Sequence, residues 1–116
     1  MLNLETILEK CGEAKVEEID VPAWGDKVYM RSMSGTSRDK LEEKWQSIEK
    51  GGSMAGLRAM LVGACLCDKN GVPHNPNAAQ LVRIGQAPSD ILDKLGEHAR
   101  RLSGLGVEDL EEAEKN

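Results

Sequence analysis

The chain has 116 residues and a net charge of −5, and its only aromatic residues are Trp24, Tyr29 and Trp45. This length predicts one domain. The acidic balance argues against a duplex nucleic-acid binder and against an anionic membrane surface as partner, because both need an excess of Lys and Arg. With so few rings, the core must come from Leu, Ile, Val, Met and Ala, and the abundance of Leu and Ala favours helices over a β-sandwich.

The first ten residues predict a short helix. Leu4, Ile7 and Leu8 recur at helical spacing, and Gly12 is expected to end the helix that covers residues 3–10. The same segment has neither a basic region nor a long apolar region, so no signal peptide is expected.

A β-hairpin is predicted next. Apolar residues alternate with polar ones in residues 16–21 and again in residues 27–31, and the intervening P-A-W-G-D supplies turn residues. Ile19 and Val21 are expected on one face, as are Val28 and Met30. Because an isolated hairpin is marginal in water, this one must pack on the helices.

The middle of the chain predicts two helices. Ser34 or Thr36 caps the first, which runs to about Lys50. Its apolar stripe consists of Leu41, Trp45 and Ile48. The second is an apolar helix that begins near Ser53 and is too short to span a bilayer, which takes about 20 residues.

The same apolar helix carries Gly56 and Gly63, seven residues apart. Glycine costs about 1 kcal/mol in a helix interior, so this pair indicates close approach of another element. The following D-K-N-G is a turn signal, because Asn-Gly tolerates positive φ.

Two amphipathic helices complete the predicted domain. The first covers residues 78–84, and the second begins at Pro88-Ser89 with Ser89 as its cap. The stripe of the second consists of Ile91, Leu92, Leu95, Ala99 and Leu102. The sequence thus predicts a predominantly helical α+β domain with an N-terminal β-hairpin over residues 1–106, followed by an acidic tail or short helix over residues 107–116.

No catalytic, cofactor-binding or metal site is assigned. Cys65-Leu66-Cys67 with His74 has the wrong spacing for zinc, and the odd number of three cysteines favours free thiols in a reducing cytosol. A nucleophilic pair of Cys67 and His74 is the least favoured alternative, since no residue is placed to orient the imidazole.

A small helix-turn-helix DNA-binding regulator is the main alternative. Residues 76–86 and 89–103 could form two helices with a tight link, with three arginines facing DNA: Arg83, Arg100 and Arg101. Against this, the second helix begins with Ser89-Asp90, and acidic groups there would repel phosphates.

Four apolar residues are candidates for partner binding. Trp24 lies in a turn, where a large ring is not required; it either folds back onto the hairpin or anchors a partner. Leu105, Val107 and Leu110 lie at or beyond a glycine break and form a docking strip if they are not packed on the core.

Four stretches in this order resemble the tail assembly chaperones of siphophages and prophages. They are D-V-P-A-W-G-D-K-V-Y-M-R, S-G-T-S-R-D-K-L-E, L-V-G-A-C-L-C-D-K-N-G, and R-L-S-G-L-G running into L-E-E-A-E-K-N. The chain departs from the family after Gly71, where H-N-P-N-A-A-Q-L replaces a more acidic, Phe-containing stretch.

The resemblance implies a non-enzymatic protein of the host cytoplasm without cofactors. It implies binding to the tape measure protein during tail morphogenesis, with the tail tube protein as a second candidate partner, and self-association. Neither nucleic acid nor a membrane is expected as partner. The family's longer, frameshifted form would have to be sought in the gene.

Overall fold

The computed structural model describes residues 1–105, so the predicted acidic tail lies outside the described residues. The helices and strands in chain order are α1 (Leu4–Lys10), β1 (Glu17–Val21), β2 (Asp26–Met30), α2 (Gly35–Glu49), α3 (Leu57–Cys65), β3 (Leu66–Cys67), α4 (Ala78–Ile84) and α5 (Ser89–Leu102). The predicted α+β class, mostly helical with an N-terminal hairpin, is confirmed.

The hairpin forms as its alternating pattern predicts. Strands β1 and β2 are antiparallel with Ile19 opposite Val28, and a 3-10 turn over Pro22–Trp24 connects them. Gly25 closes this turn with a φ of 75°, a conformation that glycine adopts without strain. Ile19 and Met30 are buried, so the apolar face of the hairpin packs on the helices.

A third strand, β3, is absent from the sequence prediction. Its two residues pair antiparallel with β2, with Cys67 opposite Tyr29. A strand this short leaves no periodic signal, and its residues continue the apolar run of α3 without a break. The start predicted for α3 is also wrong, because the helix begins at Leu57 rather than near Ser53.

The two glycines of the apolar run have different roles. A Cβ on Gly63 would lie 2.5 Å from Leu81 Cδ2, so α4 approaches α3 closely there, as predicted. Gly56 precedes the helix and has a φ of 86°, with nothing within 4 Å of a Cβ. Gly56 permits the left-handed backbone conformation at the start of the helix. The prediction that another element approaches closely at Gly56 is therefore wrong.

Polar side chains cap the starts of three helices, α1, α2 and α4. The Ser34 side chain accepts a hydrogen bond from the Ser37 amide at the start of α2, as predicted. At α4, Asn77 and Gln80 form a reciprocal capping box. The cap predicted at Ser89 is wrong, because Pro88 takes the cap position and its carbonyl accepts from Leu92, which makes Ser89 the first helical residue.

Helix α3 lies at the centre of the core, in contact with α2, α4 and α5. It runs alongside α5 in the same direction, since Arg58 pairs with Asp93 at one end and the Cys65 thiol approaches Ala99 at the other. The predicted stripes of α2 and α5 face this core. None of the helices in residues 1–105 is long and apolar enough to cross a bilayer.

Candidate functional site

An apolar groove of about 610 Å³ opens between the hairpin tip and α4. Trp24 and Val28 form the hairpin wall, and Ile84 and Ala87 lie at the opposite wall. The floor comes from α3, β3 and α5, and consists of Val62, Leu66, Leu92 and Leu95. This volume is within the range of binding pockets, about 300–1,000 Å³.

Trp24 is placed on the groove by the turn that carries it. Pro22 fixes the first position of the 3-10 turn, and the Gly25 amide donates to the Pro22 carbonyl, which holds Trp24 between them. The side chain is 50% exposed although it lines the groove. An indole in this position offers a large rigid surface to a partner, and tryptophan is enriched at binding hot spots.

The charge around the groove differs from that of the whole chain. Its polar lining residues are His74, Gln80 and Arg83, and no Asp or Glu among residues 1–105 lines it. The chain carries a net charge of −5. The groove therefore favours an apolar surface flanked by acidic or neutral groups.

Gly63 allows α4 to pack closely on α3. Because it lacks a side chain, Leu81 of α4 packs directly over α3, with Pro76 Cγ 3.5 Å from the position of a Cβ. Gly85, at the other end of α4, lies against Ala59. These small residues allow α4 to lie close to α3, and Ile84 of α4 lines the groove.

Helix α1 presents a second exposed apolar surface. Asn3 caps it by accepting from the Thr6 amide, but none of its residues is buried. Leu4 and Leu8 are 69% and 63% exposed, and Ile7 is 42% exposed. The side that the spacing predicted to be apolar is therefore without a partner in the described part of the chain.

Arg31 fixes the segment that connects α1 to the hairpin. Its side chain is buried, and Nη1 donates to the Gly12 carbonyl at 3.3 Å and to the Gly71 carbonyl at 2.9 Å. Backbone carbonyls thus take the place of a carboxylate partner. This contact ties the end of α1 to the turn that follows β3.

The other candidate partner residues lie elsewhere. Leu105 is only 6% exposed and belongs to the core, after Gly104 turns the chain with a φ of 70°. A docking role for Leu105 would require its release from the core. Val107 and Leu110 lie outside the described residues, so their role stays a prediction.

Cys65 and Cys67 lack the features of a catalytic nucleophile. Cys65 and Cys67 are both buried, and burial raises the pKa of each thiol; the positive charge of Arg31 only partly opposes this at Cys67. His74 is exposed. No group of three or more His, Cys, Asp or Glu in residues 1–105 could hold a metal ion.

The arginines of the helix-turn-helix alternative are partly engaged. Arg101 donates to Glu17, and this hydrogen bond is the main cause that holds the pKa of Glu17 below its ordinary value. Arg100 lies 3.9 Å from Glu97, and Asp90 occupies the first turn of α5. Two of the three arginines that this alternative places on DNA therefore lie beside acidic groups of the chain itself.

A comparison with solved structures agrees with the family resemblance at the level of the fold. No protein-family model matches the sequence, and no curated protein matches it. The chain is similar to the solved structure of the bacteriophage HK97 tail assembly chaperone, with a TM-score of 0.55 and 20% sequence identity. The match covers 84% of this chain and 93% of that chain. The two proteins therefore share a fold, that of a phage tail assembly chaperone.

Sequence reasoning singled out Trp24 but not the groove beside it. The residues that surround the ring come from five separate elements, and their meeting depends on how α4 crosses α3. Gly63 was the one available signal, since it indicated a close helix contact. Nothing in the pattern indicated that the hairpin tip would lie opposite that contact.

Proposed function

We propose that this protein is a tail assembly chaperone that binds the tape measure protein during phage tail morphogenesis. The tail tube protein is the second candidate partner. In this role the chain acts in the host cytoplasm, without catalysis and without a cofactor. The observation that carries the proposal is the fold shared with the HK97 tail assembly chaperone over 84% of the chain.

The apolar groove supplies a physical basis for this role. A long protein with apolar helical stripes aggregates unless those stripes are covered before the tail tube forms around it. A groove with an exposed indole on one wall and aliphatic side chains on its floor can receive such a stripe. Val107 and Leu110 could extend the contact.

Repeated weak contacts suit a chaperone that must later be displaced. Each copy would cover one short stretch of the partner, and many copies along one filament gain affinity through multivalency. No single contact then needs to be tight, so growth of the tube can release the copies one by one.

Co-expression with the tape measure protein of the same phage tests the proposal. We expect the tape measure protein to become soluble and to co-purify with several copies of this chain. A tape measure protein that stays insoluble and unbound would refute the proposed function.

Two matched variants locate the contact. Trp24→Ala should weaken capture about 30-fold, the equivalent of a 2 kcal/mol hot spot. Val82→Ala removes another exposed apolar side chain, 64% exposed, that does not line the groove, and should leave capture unchanged. If Trp24→Ala captured the tape measure protein as well as Val82→Ala and the wild type do, the groove would be excluded as the binding surface. The chaperone role itself would not be affected by that result.

A further inference from the structure

The groove beside Trp24 has a matching segment within the same chain. Residues 106–116, G-V-E-D-L-E-E-A-E-K-N, follow the described part of the chain and combine five acidic residues with two branched apolar ones, Val107 and Leu110. We propose that this C-terminal segment occupies the groove of its own chain and is displaced when the partner protein binds. The identity of the displacing partner rests on the proposed function, whereas the contact itself does not.

The segment begins close enough to the groove to reach it. The Leu105 amide donates to the Arg100 carbonyl at 2.9 Å, so Leu105 lies against the last turns of α5. Arg100 follows Leu95, which belongs to the groove floor, by five residues, or about 7 Å of helix. Eleven extended residues span up to about 36 Å, several times that separation.

The charges of the segment and the groove are opposite. Residues 106–116 carry five acidic side chains and one lysine. The ionisable residues that line the groove within residues 1–105 are His74 and Arg83. Arg83 forms no ion pair with any residue of that part of the chain. The acidic segment therefore supplies the negative charge that Arg83 lacks there.

The apolar residues of the segment match the groove lining. Val107 and Leu110 are three residues apart, the spacing that places two side chains on one face of a helix. The apolar lining is aliphatic apart from the Trp24 ring, which is 50% exposed. Burial of a leucine against such a surface removes apolar area from water, which is the main favourable term in association. Charge thus orients the segment, and Leu110 supplies much of its affinity.

Attachment to the same chain makes a weak contact sufficient. A short flexible tether gives an effective concentration of about 1 mM. A segment that binds as a free peptide with a Kd of about 0.1 mM therefore fills about nine-tenths of the grooves when it is attached. Such a contact covers the apolar surface but yields to a partner that binds more tightly. The displaced Val107 and Leu110 are then available to extend the contact with that partner.

NMR of the full chain tests the contact without any partner protein. A proton–nitrogen correlation spectrum gives one indole signal for each tryptophan, and Trp24→Phe identifies the signal of Trp24. Leu110→Glu places a charge in the contact and should shift the Trp24 signal, whereas the signal of Trp45, which does not line the groove, should stay. Asn116→Glu adds the same charge at the end of the segment and should leave both signals as in the wild type.

A synthetic peptide of residues 106–116, added to the Leu110→Glu chain, is the decisive step. We expect the peptide to return the Trp24 signal to its wild-type position with half-saturation at about 0.1 mM. The same peptide with the Leu110→Glu substitution should leave the signal unmoved. Half-saturation above about 1 mM would leave the groove mostly empty in the wild type and would overturn the proposal.

Two further results would also overturn it. An identical Trp24 signal in the wild type and in Leu110→Glu would show that the segment does not occupy the groove. A wild-type Trp24 signal that moves with protein concentration would show that a second copy, rather than the chain's own segment, fills the groove.

Displacement is measured separately from the contact. Because the peptide and the tape measure protein compete for one groove, 1 mM peptide should weaken capture of the tape measure protein by the Leu110→Glu chain about tenfold. Undiminished capture would show that the two do not share a site. The NMR experiments contain no tape measure protein, so failure of the contact is distinguishable from failure of the proposed function.

Discussion

Replacing two helix glycines by alanine separates a tight helix contact from a loose one. Gly63 in α3 and Gly96 in α5 both lie inside helices, so each alanine should gain about 1 kcal/mol of helix propensity. The two sites differ in the space available to a methyl group. At Gly96 the nearest atom to a Cβ is Leu61 Cδ2 at 3.8 Å, an ordinary contact. Gly96→Ala should therefore stabilise the fold by nearly the full amount.

At Gly63 the gain is opposed by a steric clash. A Cβ would lie 2.5 Å from Leu81 Cδ2, so the Leu81 side chain must rotate or α4 must move outward. Overpacking of this kind costs about 1–3 kcal/mol. Gly63→Ala should thus be destabilising by about 1 kcal/mol, which puts the two variants about 2 kcal/mol apart.

Urea unfolding followed by circular dichroism measures this difference directly. The midpoints should move in opposite directions, upward for Gly96→Ala and downward for Gly63→Ala, with unchanged slopes. If Gly63→Ala stabilised the fold as much as Gly96→Ala does, the contact of the Leu81 side chain with Gly63 would not be the tight, costly contact described here.

Three further predictions concern buried or paired side chains. Arg31→Met should destabilise the fold by about 2 kcal/mol in urea unfolding, because the buried Gly71 carbonyl loses its donor and the part-buried hydrogen bond to the Gly12 carbonyl is also lost; an unchanged midpoint would contradict that role. The pKa of Glu17 lies below its ordinary value of 4.5 mainly through its hydrogen bond from Arg101, so its contribution to stability is present above pH 4.5 and is lost as the pH falls through the lowered value. Glu17→Gln should remove that part of the acid dependence, and an identical pH profile would refute it. A thiol reagent should label Cys11 in the native protein and the two buried thiols only after unfolding, and labelling of three thiols in the native state would show that the core is open.

Most of the fold was predictable because periodicity is a local property. The stripe of α5 recurs at 3.6 residues over four turns, and the hairpin shows alternating apolar residues on both sides of a proline turn. The bounds of α4 agree with the prediction, and the structure adds a local capping box of Asn77 and Gln80 that the prediction did not include. Each of these signals lies within a dozen residues of the element it specifies.

Long-range contacts decide two features that the sequence did not predict. Strand β3 exists because β2 offers a free edge to two residues that otherwise continue an apolar helix. The sequence did not decide whether Leu105 packs in the core or lies on the surface. In the structure it packs in the core, and the Met33 amide donates to Ser103 Oγ, which helps hold the end of α5 in place. Neither contact leaves a trace in the neighbouring sequence.

Exposed binding surfaces are harder to predict than the core, because both have the same pattern. The apolar side of α1 is spaced like that of α5, yet Leu8 is 63% exposed while Leu95 is 1% exposed. In the sequence the two stripes are equivalent, and only the packing separates them. A stripe that remains exposed after the fold is complete carries a hydrophobic cost that a partner can remove. The exposed side of α1 and the groove at Trp24 are both of this kind, because each remains apolar and accessible after the core of the chain is complete.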